Sequence, residues 1–250
     1  MHYVFSPPPI NALPVAGSEA SFPVRRVYCV GRNYAAHARE MGSDPDREPP
    51  FFFCKPGDAQ SVVAVPADQI VEIPYPSLTQ NFHHEIELVV AIGQGGVNIP
   101  EASALNHVFG YAVGLDMTRR DLQFKMREQG RPWEIGKAFD HSAPVGVLHR
   151  RAETGDVSSA HITLTVNGEV RQQSQLTHLI WSVAETIANL STLFALQPGD
   201  LVFTGTPDGV GLGRSPQRFI RPGEVLVSTI EGIGELRQTF VAAVDGKDAS

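Results

Sequence analysis

The chain has 250 residues, enough for one large domain or two small ones with an ample core. Its 42% hydrophobic and 19% charged residues are typical of a soluble globular protein, and a net charge of −7 gives no basic surface for nucleic acid or an anionic membrane. It shows neither a bilayer-spanning apolar run nor a signal-peptide pattern, and two cysteines cannot form a disulfide framework, so we expect a cytoplasmic protein.

The first quarter of the chain predicts an arm followed by short elements. Residues 1–26 contain three consecutive prolines and few periodic positions, which predicts an extended N-terminal arm with at most short strands. A short apolar strand, 27–30, follows. Residues 33–41 have the composition of a short helix, with Asn33 as its N-cap and Gly42 as its stop.

Strands dominate the rest of the chain. The further predicted strands are 51–54, 85–92 and 108–115, a hairpin of 163–166 and 169–172 around Asn167-Gly168, and tail strands between the turns 198–200, 222–224 and 231–232. Only two further segments have helical patterns, 122–128 and 179–193. This order predicts an α+β fold, a strand-rich mixed β-roll or β-sandwich with a few short helices, and residues 27–250 as a single domain. Helices do not alternate regularly with strands, which argues against a doubly wound parallel sheet.

Three carboxylates are the first candidate site. Side chains alternate along a strand, so Glu85 and Glu87 point to one face, and Asp116 ends the next apolar run, where the chain leaves the sheet. Oxygen ligands without a thiolate suit a hard ion such as Mg²⁺ or Mn²⁺. An isolated Glu-x-Glu is usually a solvated strand face. The apolar neighbours here favour a buried pair, which needs a cation to offset its desolvation and repulsion.

A second candidate pair lies on the first helix. His37 and Glu40 are three residues apart and therefore neighbours on one helix face. A carboxylate beside an imidazole can fix its tautomer and support it as a general base. The alternative is an incidental surface ion pair. Glycines at 31 and 42 would provide permissive ends for a mobile lid.

Other positions remain open from the residues alone. The loop with Gly205 and Thr206 is either an ordinary loop or a set of backbone amides that binds a substrate carboxylate. The apolar neighbours of Lys137 predict partial burial. Cys29 and Cys54 lie in apolar strands, so we expect core residues rather than nucleophiles.

Several segments together resemble the fumarylacetoacetate hydrolase family. They are CVGRNYAAHAREM (29–41), FFFCKPGDA (51–59), HHEIELVVAIG (83–93), GYAVGLDMTRRDLQ (110–123), GRPWEIGKAFD (130–140) and FTGTPDGVG (203–211). The likeness runs in order from about residue 27 to the C-terminus and is strongest to the short acylpyruvate hydrolases, particularly those that act on fumarylpyruvate. It implies a β-roll catalytic domain, one Mg²⁺ or Mn²⁺ per subunit, and a homodimer.

The resemblance also implies roles for individual residues. Glu85, Glu87 and Asp116 match the metal ligands, and His37 and Glu40 match a water-activating pair on a mobile segment. Lys137 matches an active-site lysine. Positions that match the substrate pocket are Arg120, Gln123, Lys55 and Thr206, and we add Gly205 and Arg32 to this predicted set. Many relatives have a tyrosine where this chain has His84, which we interpret as a packing or supporting residue rather than a ligand.

The implied reaction is hydrolysis of the C3–C4 bond of a 2,4-dioxo acid, with fumarylpyruvate giving fumarate and pyruvate in gentisate breakdown. A divalent ion stabilises the leaving carbanion, His37 takes a proton from water, and Lys137 with Gln123 stabilises charge on the C4 oxygen. The distal carboxylate of a fumaryl group requires a cation, for which Arg32, Arg119, Arg131 and Arg214 are candidates.

Alternative activities use the same metal chemistry. They are acetylpyruvate hydrolysis, oxaloacetate decarboxylation and isomerisation of a 2-oxo-dienoate, and a fold does not decide among them. Retention of both His37 and Glu40 favours hydrolysis over isomerisation. A non-catalytic protein that binds a 2-oxo acid is the remaining alternative, and loss of Lys137 or of a metal carboxylate would be its signature; all four residues are present.

Overall fold

The structure is a computed structural model that describes residues 2–42 and 48–242. The strands are β1 (Ala12–Pro14), β2 (Ser21–Pro23), β3 (Val27–Gly31), β4 (Phe51–Lys55), β5 (Val62–Ala64), β6 (Ile70–Pro74), β7 (Phe82–His83), β8 (Ile86–Ile92), β9 (Val108–Leu115), β10 (Thr118–Arg119), β11 (Ala143–Val145), β12 (His149–Arg150), β13 (His161–Val166), β14 (Glu169–Gln175), β15 (Leu201–Phe203), β16 (Val225–Ile230) and β17 (Gly234–Val241). The helices are α1 (Ala35–Glu40), α2 (Glu101–Ala104), α3 (Arg120–Glu128), α4 (Glu134–Lys137), α5 (Arg151–Thr154) and α6 (Val183–Leu193), with 3₁₀ turns at Leu105–His107, Leu176–His178 and Gly211–Gly213.

Two mixed sheets carry the fold. The larger has the order β4-β3-β15-β8-β9-β11-β5, with β12 also paired to β9, and it contains two parallel pairs among antiparallel ones. The smaller has the order β14-β13-β16-β17-β6. The predicted α+β class, rich in strands and mixed in direction, is therefore confirmed, and no doubly wound parallel sheet occurs among the residues described.

Strand β8 is buried on both faces because its apolar side chains alternate between two hydrophobic clusters. Ile86 and Leu88 belong to a cluster that lies between the two sheets and includes Phe240 of β17. Val89 points the other way, into a second cluster. A strand covered on both sides reads as a continuous apolar run, which is the pattern that predicted it.

The second cluster shows that the larger sheet is strongly curved. Val27 of β3 lies near one end of the strand order and Val62 of β5 lies at the other, yet both are buried in this cluster with Val89. Leu13 and Phe22 from the β1–β2 hairpin also pack there. The predicted N-terminal arm thus does contain two short strands, and they cover the inside of the curved sheet.

Helix boundaries differ from the predicted ones for a local reason. The segment 179–193 becomes helical only at Val183, because Ser182 accepts a hydrogen bond from the Glu185 backbone N–H while the Glu185 side chain accepts one from the Ser182 N–H. This capping box sets the start of the helix. Helix α1 is also shorter than predicted, and the helices include three single turns that no periodicity could reveal.

Two sequence-based predictions were wrong. Asn33 is not an N-cap; Tyr34 holds that position, while the Asn33 amide binds the backbone of Trp181 and Thr204. Cys54 is exposed rather than part of the core, whereas Cys29 is buried. The stop at Gly42 is confirmed, with a left-handed φ of 70°. Within the described ranges, no helix is both long and apolar enough to span a bilayer.

Candidate metal centre and catalytic cleft

The three predicted carboxylates meet at the ends of two paired strands. Glu85 immediately precedes β8 and Asp116 immediately follows β9, and the Asp116 N–H donates to the Glu85 carbonyl at 2.9 Å. Glu87 pairs with Gly114 in the same ladder. Glu85, Glu87 and Asp116 are all buried, and each offers an oxygen within 4.8 Å of the others. The predicted alternation along β8 therefore places the acids together.

Three buried cations surround two of these acids. The Lys137 Nζ donates to Glu85 and to Asp116, both at 2.6 Å, and to the Thr118 hydroxyl at 2.7 Å. Lys55 pairs with Asp116 at 2.8 Å, and its ammonium also bonds the Lys137 carbonyl. Arg120 forms an ion pair with Glu85. These contacts explain how buried charges are tolerated on this side of the site.

The pKa values of the two glutamates shift in opposite directions. Burial alone would raise the pKa of Glu85, but attraction from Lys137 and Arg120 outweighs it and holds that pKa well below its usual range. Burial raises the pKa of Glu87, and repulsion from Asp116 and Glu85 raises it further. Glu87 accepts a hydrogen bond from the Gly205 N–H at 2.6 Å but forms no ion pair with a described residue. The uncompensated charge is therefore localised on Glu87.

This arrangement fits a divalent cation. Three converging carboxylate oxygens without a sulfur ligand are the donor set of Mg²⁺ or Mn²⁺. A dication beside Glu87 would supply the positive charge that its surroundings lack. Glu85, Glu87 and Asp116 are accordingly the residues that would hold the ion.

The predicted His37–Glu40 pair is present and faces the same cleft. The His37 Nδ1 lies 3.2 Å from Glu40 Oε2, and His37 is buried in the cleft wall. Glu40 also accepts hydrogen bonds from the Gly209 N–H at 3.1 and 3.2 Å. Because Nδ1 is engaged by the carboxylate, Nε2 is the nitrogen that can accept a proton.

Backbone amides of the loop after β15 bind the protein's own carboxylates. The Gly205 N–H binds Glu87 and the Gly209 N–H binds Glu40. Both glycines have φ of 99°, and a Cβ on Gly205 would lie 2.7 Å from that of Asn33. The amides of Gly205 and Gly209 thus each already have a carboxylate partner within the protein, and a role for this loop in binding a substrate carboxylate stays a prediction.

One buried glutamine ties this loop to the metal strand. Gln172 donates to the Thr206 hydroxyl and the Pro207 carbonyl, both at 2.8 Å, and accepts from the Ile86 N–H at 3.1 Å. Its oxygen also faces the His84 Nδ1 at 3.0 Å. Burial lowers the pKa of His84 to about 4, so the ring is neutral at pH 7. His84 supports the strand beside Glu85 and lies outside the carboxylate cluster, as predicted.

The cleft above the carboxylates encloses about 530 Å³, including its open mouth. Its aromatic walls come from β4, α3 and the turn before α4, and they comprise Phe51, Phe53, Phe124 and Trp133. Trp133 packs against Phe51 and Phe53 of β4, with ring centroids 5.5 and 5.9 Å from its own. The floor is ionic and the walls are apolar, which is typical of small-molecule sites.

The predicted pocket residues divide into two groups. Arg32, Arg120, Gln123 and Thr206 line the cleft. Lys55 and Gly205 do not line it; they lie beneath it and contact Asp116 and Glu87. The Gln123 oxygen accepts from Arg120 at 2.6 Å, so its amide nitrogen, which has no partner among the residues described, remains available as a donor.

Three of the four candidate arginines for a distal carboxylate lie elsewhere. Arg119 donates to the Ile135 and Ser77 carbonyls, Arg214 pairs with Glu169, and Arg131 is exposed outside the cleft. Of these four candidates, Arg32 alone lines the cleft.

Sequence reasoning missed two residues of the candidate site, which are of different kinds. Arg127 lines the cleft seven residues after Arg120, and helical spacing within α3 could have identified it. Gln172 contacts the metal strand from a hairpin 86 residues away from Ile86 along the chain, a contact without a local signal.

Comparisons with known proteins agree with this geometry. Residues 26–241 match the family described as fumarylacetoacetate (FAA) hydrolase, C-terminal. The chain is 41% identical to fumarylpyruvate hydrolase from Ralstonia sp. over 201 residues, covering 80% of this chain and 97% of that protein. It is likewise 41% identical to oxaloacetate tautomerase YcgM from Escherichia coli K12 over 217 residues, covering 86% and 93%.

The fold also matches a solved structure. The crystal structure of fumarylpyruvate hydrolase from Pseudomonas aeruginosa, in complex with Mn²⁺ and pyruvate, is 59% identical to this chain. The match has a TM-score of 0.91 and covers 96% of this chain and 100% of that one.

Proposed function

Because the chain belongs to the fumarylacetoacetate hydrolase family, we propose that it hydrolyses an acylpyruvate and that fumarylpyruvate is its substrate. The observation that most strongly supports this proposal is that the buried cluster of Glu85, Glu87 and Asp116 opens into the same cleft as the His37–Glu40 pair. The similar Pseudomonas aeruginosa enzyme supports this proposal, since its structure contains Mn²⁺ and pyruvate. The products would be fumarate and pyruvate.

His37 carries out the proton transfer in this proposal. Its Nε2 accepts a proton from water as the water oxygen attacks C4 of the substrate, and Glu40 stabilises the resulting imidazolium through Nδ1. The C3–C4 bond then breaks, its electron pair remains on the pyruvate fragment, and that carbon takes the proton from the His37 imidazolium, which restores the neutral ring. A bound divalent cation supplies Lewis-acid stabilisation of the negative charge on that fragment.

The remaining cleft residues orient the substrate and neutralise charge. Gln123 is held by Arg120 so that its free amide nitrogen can donate to a substrate oxygen. Burial disfavours the Lys137 ammonium, but attraction from Asp116 and Glu85 outweighs it and the pKa of Lys137 is raised. Lys137 therefore stays cationic at neutral pH, and because its three N–H groups are engaged by Glu85, Asp116 and Thr118, it stabilises the oxygen charge that develops at C4 through its positive charge.

The second candidate function is conversion of oxaloacetate, for which the relative named oxaloacetate tautomerase is the specific support. Tautomerisation, decarboxylation and dienoate isomerisation need no attacking water. The retained His37–Glu40 pair and the 59% identity to a fumarylpyruvate hydrolase favour hydrolysis. We further propose that the enzyme is a cytoplasmic homodimer in gentisate breakdown, on the strength of the family resemblance.

A substrate panel tests the proposed function. We would strip the protein with EDTA, restore Mn²⁺ or Mg²⁺, and follow the enol absorbance of fumarylpyruvate, acetylpyruvate and oxaloacetate while identifying products. Metal-dependent formation of fumarate and pyruvate is the expected result. Turnover of oxaloacetate alone would favour the second candidate function. No turnover of any of the three substrates would indicate an isomerase or a binding protein.

A further inference from the structure

The cleft contains an arginine with no assigned role. Its four cationic lining residues are Arg32, Arg120, Arg127 and Lys137. Arg120 and Lys137 pair with Glu85. Among the described residues, neither Arg32 nor Arg127 forms an ion pair. Two cations are therefore free to meet an anion that enters the cleft.

Arg127 lies at the correct distance from the metal centre along α3. Arg120, Gln123, Phe124 and Arg127 follow the i, i+3, i+4, i+7 spacing of one helix face, and all four line the cleft. At 1.5 Å per residue, Arg127 lies about 10 Å along the axis from Arg120. Arg120 is at the ionic floor and Arg127 is exposed, so the helix extends from the floor to the mouth.

A fumarylpyruvate molecule fits this span. Its seven-carbon chain is extended, and at about 3.8 Å per three bonds its two terminal carboxyl carbons lie roughly 7.6 Å apart. With the pyruvate end at the carboxylate floor, the distal carboxylate would reach the mouth. The intervening walls are the flat rings of Phe51, Phe124 and Trp133, which suit a planar conjugated chain.

The geometry points to Arg127 as the residue that binds the distal carboxylate of the acyl group, so that it selects acylpyruvates ending in an anion. This inference rests on the proposed function and names its specificity determinant. Arg32 lines the same cleft, but its guanidinium lies 5.6 Å above the Phe51 ring and its backbone φ is 57°. That cation–π contact assigns Arg32 to the aromatic wall rather than to the anion.

The test compares two substrates in the Mn²⁺-loaded enzyme. Arg127→Ala should lower kcat/KM for fumarylpyruvate about 10- to 100-fold, mainly through KM, because a charge-assisted contact is lost. Acetylpyruvate has no distal carboxylate, so its kcat/KM should change less than about twofold. Arg127→Lys should recover part of the loss. Arg131→Ala is the matched control, since Arg131 is exposed and outside the cleft, and it should change neither substrate.

Fumarate binding separates failure of this inference from failure of the proposed function. Wild-type protein should bind fumarate at least about tenfold more tightly than Arg127→Ala, and this difference does not depend on turnover. If wild type binds fumarate more tightly than Arg127→Ala but does not hydrolyse fumarylpyruvate, the anion site is supported and the proposed hydrolase activity is wrong. Equal loss for both substrates, equal fumarate binding, or selectivity lost in Arg32→Ala but not in Arg127→Ala would overturn the inference.

Discussion

At the residue scale, the candidate metal centre contains two glutamates, Glu85 and Glu87, whose negative charges are neutralised to different degrees by their neighbours. Glu85 has two cationic partners, whereas Glu87 has one backbone amide and two negative neighbours. Without a bound ion, the Glu87 charge therefore destabilises the folded protein, whereas the Glu85 charge stabilises it. The two glutamates are nearly identical chemically, so their amide variants form a matched pair.

Glu85→Gln and Glu87→Gln should change the stability of ion-free protein in opposite directions. Removing the Glu85 charge leaves Arg120 and Lys137 less compensated, and breaking a buried pair costs about 3 kcal/mol, or roughly 6–12 °C in Tm. Glu87→Gln removes repulsion and should hold or raise Tm. Thermal unfolding with EDTA measures both, and Mn²⁺ should stabilise only wild-type protein. Equal destabilisation of the two variants would contradict the charge distribution described above.

His84 should make stability depend on pH. Its pKa is about 4 in the folded protein against 6.5 for an ordinary histidine, so the unfolded chain binds more protons between these values. The stability that the neutral ring provides is complete above pH 6.5 and falls as pH decreases towards 4, by about 1.4 kcal/mol per pH unit. Urea unfolding of ion-free protein should show a pH dependence that is steeper by this amount in wild type than in His84→Gln, which retains the contributions of His83 and the buried glutamates. Parallel pH profiles would reject it.

At the element scale, a turn in one segment positions the proposed catalytic pair in another. The Gly209 N–H holds Glu40, and Glu40 orients His37. Gly209 has φ of 99°, and an added Cβ would lie 2.1 Å from the Arg171 carbonyl oxygen. The loop after β15 thus holds the Glu40 carboxylate of helix α1, although the two are more than 160 residues apart in sequence.

Gly209→Ala should lower kcat by about tenfold or more while KM changes little, because the general base loses its orientation but the ionic floor remains. Gly223→Ala is the matched control: Gly223 also has positive φ, at 85°, but an added Cβ would meet nothing within 4 Å. Its variant should lose about 1–2 kcal/mol of stability without a change in kcat. Similar kcat values for both variants would show that the Gly209–Glu40 contact is not functional.

The elements also show what sequence can predict. Strands β8 and β9 were predictable because both are apolar runs, and alternation then placed Glu85 and Glu87 on one face. The His37–Glu40 contact follows from local helical spacing. Lys55, Gly205 and Gln172 act from beneath or behind the cleft through contacts between distant segments. Their partners depend on sheet order, which local periodicity does not contain.

At the scale of the whole molecule, charge balance links the ion to the substrate. Three carboxylates face three cations, Lys55, Arg120 and Lys137, so a bound dication leaves about two positive charges in the site. The carboxylate at the pyruvate end of an acylpyruvate neutralises part of this charge. Ion and substrate should therefore each increase the affinity for the other, as thermodynamic linkage requires.

The most direct measurement is a titration of Mn²⁺ into EDTA-stripped protein, with bound ion and fumarylpyruvate cleavage followed in the same samples. The free Mn²⁺ signal in electron paramagnetic resonance reports occupancy. We predict one ion per chain, cleavage in proportion to occupancy, and loss of both in Glu87→Gln. Full-rate cleavage without the ion, or wild-type ion binding and cleavage in Glu87→Gln, would contradict the assignment of this carboxylate cluster as the catalytic metal centre.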